Sequence, residues 1–209
     1  MAERDEEYYI DGTMMVIRVE HKLFRVPQHI LMNSSSVFRD MFSPIAEGSK
    51  PDGYSDEQPL VLEGIQASGF ARLLKCIYPL TRRETSFKFE FSLEEWKEAL
   101  KVATAYEMTE VKAFIVGEMT PLLEGQPTLR IQLSQLYNVE SLLVSGLHEL
   151  VQRESSLSER DIQDIGIPYA VRIMLLRESG YNTFVHRKLQ QQFKRLDING
   201  PIVSDCLGL

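Results

Sequence analysis

Pro27 divides the stretch Leu23–Phe42 into two kinds of chain. Before it, Phe24 and Val26 alternate with Leu23 and Arg25, the period of a strand with two distinct faces. Proline has no N–H to donate to a ladder, so the strand ends there. The same residue suits the first turn of a helix, where that N–H would have no partner anyway. Ile30 and Leu31 are the apolar residues of a short first helix. Asn33 and the serines after it offer side-chain oxygens to the free N–H groups of a second helix. Val37, Phe38, Met41 and Phe42 recur at helical spacing and predict its buried face. The order imposed on these 20 residues is strand, short helix, polar break, apolar helix.

The flanking sequence extends this plan. Residues 13–20 alternate, with Met15, Ile17 and Val19 on one side and Met14, Val16, Arg18 and Glu20 on the other, which predicts a strand with one buried face. The short link Glu20-His21-Lys22 makes this strand and the next a hairpin, with His21 as a turn residue. Residues 43–59 hold three prolines and two glycines and are expected to form a flexible surface loop. Leu60–Leu62 reads as a short buried strand, and residues 66–78 as a helix with Phe70, Leu73, Leu74 and Ile77 inward, stopped by Pro79. Phe87, Phe89 and Phe91 alternate, a short strand whose aromatic side is expected to pack on a neighbouring helix; left exposed, it would be a partner site.

Ser92 and Glu95 have the spacing of a capping box. The helix they open, with Leu93, Trp96, Leu100 and Ala103 inward, runs to about Tyr106. Another, with Val111, Phe114 and Ile115, starts at Thr109. The break from Pro121 to Pro127 is the expected boundary between a first domain, residues 1–120, and an all-α extension, residues 127–209. In that extension the apolar positions are Leu129, Leu133 and Leu136, then Leu143, Leu147, Leu150 and Val151. Ser158 with Asp161 resembles a helix start, Pro168 opens a helix containing Val171, Met174 and Leu175, and residues 181–196 carry Phe184, Val185, Leu189 and Phe193. Helices this short require packing on one another.

Phe24-Arg25-Val26, Ile30-Leu31 and the run from Ser36 to Phe42 resemble the core signature of BTB/POZ domains, and Ile77-Tyr78 match the end of a helix in that pattern. Pro27 stands where that family commonly has histidine. The resemblance implies an α+β fold, a small β-sheet flanked by helices, followed here by a helical extension similar to those of many adaptor proteins. In the absence of a substrate-reading domain within these residues, the chain resembles the short, stand-alone BTB proteins of fungi. The resemblance further implies protein partners: a second copy of the chain in a homodimer, a cullin-type ubiquitin ligase scaffold served by an adaptor, or a nuclear transcriptional partner.

Composition narrows the alternatives. An apolar fraction of 44% with 25% charged residues suits a chain that buries a real core. The net charge of −7 disfavours nucleic acid, whose phosphates need clustered Lys and Arg. No apolar run approaches the ~18 residues of a membrane span, and the acidic start of the chain does not read as a signal peptide. Two distant cysteines, Cys76 and Cys206, form no disulfide framework and no zinc site, which points to a reducing compartment, cytoplasm or nucleus.

No catalytic, cofactor or metal constellation emerges. His148-Glu149 lacks the second histidine of a zincin motif, and Gly69, Gly117 and Gly146 are isolated rather than gathered in a phosphate loop. Cys206-Leu-Gly-Leu209 has the form of a prenylation box, the one route to a membrane. Gly208 fits it poorly, Asp205 precedes it and no polybasic run supports it, so a frayed tail is the better reading. Tyr8, Tyr9, Met14 and Met32 lie at a strand entry or in a turn, where a core has little use for them, and are candidates for partner contact.

Overall fold

The computed structural model describes residues 13–42, 52–78 and 89–178. The chain forms two compact units, residues 1–122 and 123–209.

The first unit is built on a three-stranded sheet in the order β2-β1-β3. Strand β1 (Met14–Val19) and strand β2 (Lys22–Pro27) form an antiparallel hairpin in which Ile17 faces Phe24 and Val19 faces Lys22. The turn is the two residues Glu20 and His21, and Glu20 takes the left-handed conformation with φ 54°. Strand β3 (Leu60–Leu62) runs parallel to β1, Val19 opposite Leu62. Register places Met15, Ile17, Val19, Val26 and Leu62 on one face, and all are buried. Arg18 lies between Leu23 and Val61 on the other face, where all three are exposed.

Helix α1 (Gln28–Ser34) starts directly from Pro27 and buries Leu31. Helix α2 (Ser36–Met41) follows one residue later, capped by Ser35, whose hydroxyl accepts from the Phe38 N–H at 3.0 Å. The expected inner face of α2 narrows to Phe38, which is fully buried, while Met41 is exposed and Val37 and Phe42 are half-buried. Six residues make fewer than two turns, too few for a four-residue apolar stripe to face one way.

The expected loop at 43–59 divides. Residues 43–51 lie outside the described residues, but 52–59 run along β1 as a series of turns. The Gly53 carbonyl accepts from the Val16 N–H at 2.7 Å, and the Gly53 N–H donates to the Gln58 carbonyl at 2.7 Å. Gly53 has φ 95°, and a Cβ there would come within 2.3 Å of the Met15 side chain. Polar composition suggested a free loop; a glycine able to approach the core made it part of the sheet edge instead.

Helix α3 (Ala67–Ile77) and helix α4 (Leu93–Ala105) pack closely. Gly69 allows this approach, since a Cβ on it would lie 3.1 Å from the Glu98 carbonyl oxygen. Arg72 crosses the junction to Glu95 and Glu98, both at 2.7 Å. The Glu20 carboxylate in the hairpin turn accepts from the Ala67 N–H at 3.1 Å, so a strand turn supplies a partner for the free start of α3. The predicted capping box of α4 is present, with Ser92 and Glu95 bonded reciprocally. Helix α5 (Thr109–Met119) buries Ile115, Val116 and Met119.

The second unit is helical throughout its described part. Helix α6 (Pro127–Tyr137), α7 (Glu140–Gln152), α8 (Glu159–Ile165) and α9 (Ile167–Glu178) surround a core of Ile131, Leu143, Leu147, Leu150, Val151, Ile165, Ala170 and Ile173. Gly146 brings α6 and α7 together: a Cβ there would sit 2.7 Å from the Pro127 carbonyl oxygen. Ser158 and Asp161 complete a capping box for α8, and Arg153 bonds the Asp161 carboxylate at 2.5 Å. One residue of the expected α6 stripe and the whole of the expected α9 stripe face outward instead. Leu136 is 68% exposed, because Ile131, Leu133 and Tyr137 supply the buried side of α6. Val171, Met174 and Leu175 are exposed on α9, which packs through Ala170 and Ile173.

Candidate functional site

An apolar groove opens on the first unit where α1, α3 and α5 meet. Its walls are Ile30 and Ser34 from α1, Cys76 and Ile77 from α3, and Val111 and Phe114 from α5, around a volume of about 350 Å³. The local reasons are plain. Leu31 turns into the core of α1, leaving Ile30 half-buried beside it. Ile77 is the last residue of α3 and marks where that helix stops covering its neighbour. Helix α5 spends Ile115 and Val116 on the core, so Val111 and Phe114 line the opening.

Phe114 is the notable side chain. It is one of the apolar residues that mark this helix in the sequence, and it is 41% exposed. One side of its ring rests on an aromatic cluster: Phe89 at 5.7 Å and Trp96 at 6.4 Å between centroids. Phe91 packs on Trp96 at 4.8 Å and on Phe89 at 5.4 Å. Phe89 and Phe91 are thus half-buried against helices α4 and α5, with the Lys75 ammonium 5.7 Å from the Phe91 ring. Residues 86–88 of the expected strand lie outside the described residues, and 89–91 form no ladder, the two rings there being held by the helices.

Charge is sparse in the groove. Glu110, Asn33 and Ser34 are its polar lining. Burial, helped by the negative charge of Glu118, pushes the Cys76 thiol up to about 12. It is therefore protonated at neutral pH and behaves as an apolar wall, not as a nucleophile. Among the described residues no group of three or more His, Cys, Asp or Glu side chains could hold a metal ion. None of their helices is long and apolar enough to cross a membrane. The groove can accept an apolar side chain of a partner and present a rigid aromatic edge beside it.

The residues singled out in the sequence fall in several places. Phe89 and Phe91 join the aromatic support of the groove through Phe114. Met14 is 38% exposed on the outer face of β1, opposite Pro27, and Met32 is half-buried on α1; neither lines the groove. Tyr8, Tyr9, Phe87 and Cys206 lie outside the described residues. Ile30, Ile77 and Val111 were legible only as core positions, because each sits on an amphipathic helix and periodicity cannot tell the centre of a buried stripe from its margin.

A family model for the BTB/POZ domain matches residues 3–119, more than half of the 209-residue chain. No curated protein matches the chain.

Proposed function

Because the chain belongs to the BTB/POZ domain family, whose domains are protein–protein interaction modules, we propose that it acts as an adaptor, seating a cullin-type ubiquitin ligase scaffold on the groove between α1, α3 and α5. The observation that carries this reading is Phe114: a large aromatic side chain, 41% exposed, fixed by Phe89 and Trp96 at the edge of an apolar recess. A ring already held in place loses little freedom on binding, which is why such side chains anchor interfaces. The reading assigns the chain no catalytic role and places it in the cytoplasm or nucleus, where such scaffolds work. Self-association to a homodimer is compatible with it, provided the groove stays open in the dimer.

Titration of the purified chain with a purified cullin scaffold tests the proposal. Binding is expected for wild type and should weaken at least about tenfold in Phe114→Asp, with thermal unfolding of the variant checked in parallel. Equal binding by the variant would place the partner elsewhere, and no binding by wild type would sink the adaptor reading. Light scattering addresses the dimer separately, against the 24.0 kDa of one chain.

A further inference from the structure

We infer that Ser156, in the link between α7 and α8, is a phosphorylation site whose phosphate is received by Arg153 of the same chain. The link is short and pinned at both ends. Arg153 closes α7, its backbone N–H donating to the Glu149 carbonyl, and Ser158 opens α8 as its cap. Between them Leu157 packs against the core of the second unit, while Ser155 and Ser156 are exposed. The hydroxyls of Ser155 and Ser156 have no hydrogen-bond partner among the described residues. That of Ser158 is engaged with the Asp161 N–H and carboxylate.

Two arginines hold the backbone of this link. Arg177 Nη1 donates to the Ser155 carbonyl at 2.9 Å, and Arg153 Nη2 donates to the Ser156 carbonyl at 3.2 Å. Arg177 stands in the last turn of α9, just before the described residues end at 178; the helix expected over 181–196 lies outside them. The two guanidiniums differ in what they have left to give. Arg177 commits all three nitrogens, Nε and Nη2 both donating to the Leu150 carbonyl. Arg153 uses Nη2 for Ser156 and Asp161 together, and its Nε is buried without a partner. Its Nη1 has no hydrogen-bond partner among the described residues either. A guanidinium carries five donors in a fixed fork, so Arg153 keeps donors beside Ser156 that the fold does not use. A phosphate on the Ser156 oxygen would belong to the same residue as the carbonyl that Arg153 holds, within reach of Nη1.

The charges along the link favour a tethered phosphate over a free anion. Glu154, Glu159 and Asp161 flank Ser156 in the chain and repel an anion arriving from solution, whereas a covalent phosphate is already in place. Glu154 and Glu159 are exposed, so salt screens them, while the Arg153 side chain is 30% exposed and pairs at close range. The same carboxylates single out the serine. Glu159 stands three residues after Ser156, an exposed acid that an acid-directed serine kinase can read; three residues after Ser155 stands another serine. In the modification the γ-phosphoryl group of ATP passes to the Ser156 Oγ, ADP leaves and the hydroxyl proton is released. The phosphate then ties the link to the end of α7 through charge-assisted hydrogen bonds. The inference concerns the second unit and does not depend on the partner groove of the first.

The full chain, treated with an acid-directed serine kinase and ATP, is expected to gain a phosphate that mass spectrometry places on Ser156, and Ser156→Ala should lose it. A chain with phosphoserine genetically encoded at position 156 tests the role of the arginine. Phosphorus NMR should find the second ionisation of that phosphate below its ordinary value of about 6 in the folded chain. The ionisation should return toward that value in urea and in Arg153→Gln. The urea comparison needs no substitution of the arginine and decides the matter even where that variant fails to fold. No phosphate on Ser156 after kinase treatment, or an ionisation in the folded chain equal to that in urea or in Arg153→Gln, would each overturn the inference.

Discussion

Phe38 and Tyr106 stack with ring centroids 4.7 Å apart and planes 14° from parallel, although 68 positions separate them in the chain. The Ser35 hydroxyl reinforces the same junction, donating to the Tyr106 carbonyl at 2.5 Å while it accepts from the Phe38 N–H. One serine thus caps α2 and ties it to the end of α4. The Ser36 hydroxyl adds a bond to the Glu107 carboxylate at 2.8 Å. The segment that organises the sequence is therefore held at its far side by the turn after α4.

Phe38→Ala should destabilise the first unit by about 3–5 kcal/mol, the usual range for emptying a buried phenylalanine site. Phe38 is fully buried, and its ring also lies 5.8 Å from Phe42. Against a typical domain stability of about 5–15 kcal/mol, the urea midpoint should fall steeply. A midpoint equal to wild type would contradict the stacking described above.

Ser35→Ala should cost about 1–2 kcal/mol, through the lost cap of α2 and the orphaned Tyr106 carbonyl. Ser35→Thr keeps the hydroxyl and should recover part of that loss. Chemical denaturation of the three proteins distinguishes a hydrogen-bonding role from simple filling of space, in which case threonine would be the worse substitution.

Gly146→Ala should weaken the second unit by about 1–3 kcal/mol, because the added methyl meets the Pro127 carbonyl oxygen at 2.7 Å and Ile131 at 2.9 Å. Gly117→Ala makes the control, since a Cβ there meets nothing within 4 Å. In an exposed helical position that exchange should be neutral or slightly stabilising. Thermal unfolding of both variants is the measurement, and equal effects would show that α6 and α7 do not approach as described.

Acid should weaken the start of α8. The Arg153 guanidinium and the Ser158 backbone and side chain hold Asp161 at about 2, below its ordinary 3.8. A carboxylate with a depressed folded-state value contributes stability that is fully present above about pH 4 and is lost as pH falls through about 2. The stability difference between wild type and Asp161→Asn should therefore be constant near neutrality and shrink across that window. A difference that persists at the lowest pH would mean the carboxylate charge does not matter to the capping box.

Several features could be read before any coordinates. The hairpin, the strand-to-helix switch at Pro27, the capping box at Ser92, the helix start at Ser158 and the BTB/POZ resemblance all rest on neighbours a few residues apart. Helix α7 was largely legible, since Leu143, Leu147, Leu150 and Val151 are all buried, joined by Leu142 and Gly146. Helix α9 was not: its apolar residues occupy both sides, and periodicity marks their spacing without saying which row meets the core. The groove shares that difficulty, because Ile30, Ile77 and Val111 belong to three separate helices and only their meeting makes a recess.

Residue type and short spacing determined, by sequence alone, where many of the strands and helices begin and which family pattern the first part follows. These are decided by dihedral preference, capping and local periodicity, which act over one or two turns. Tertiary structure alone decided that Gly53 brings a polar loop against Met15, that Glu20 serves the start of α3, and that Phe114 stays at the surface beside Trp96. Each depends on groups distant in sequence competing for the same space, and close packing settles that competition only once all of them are present.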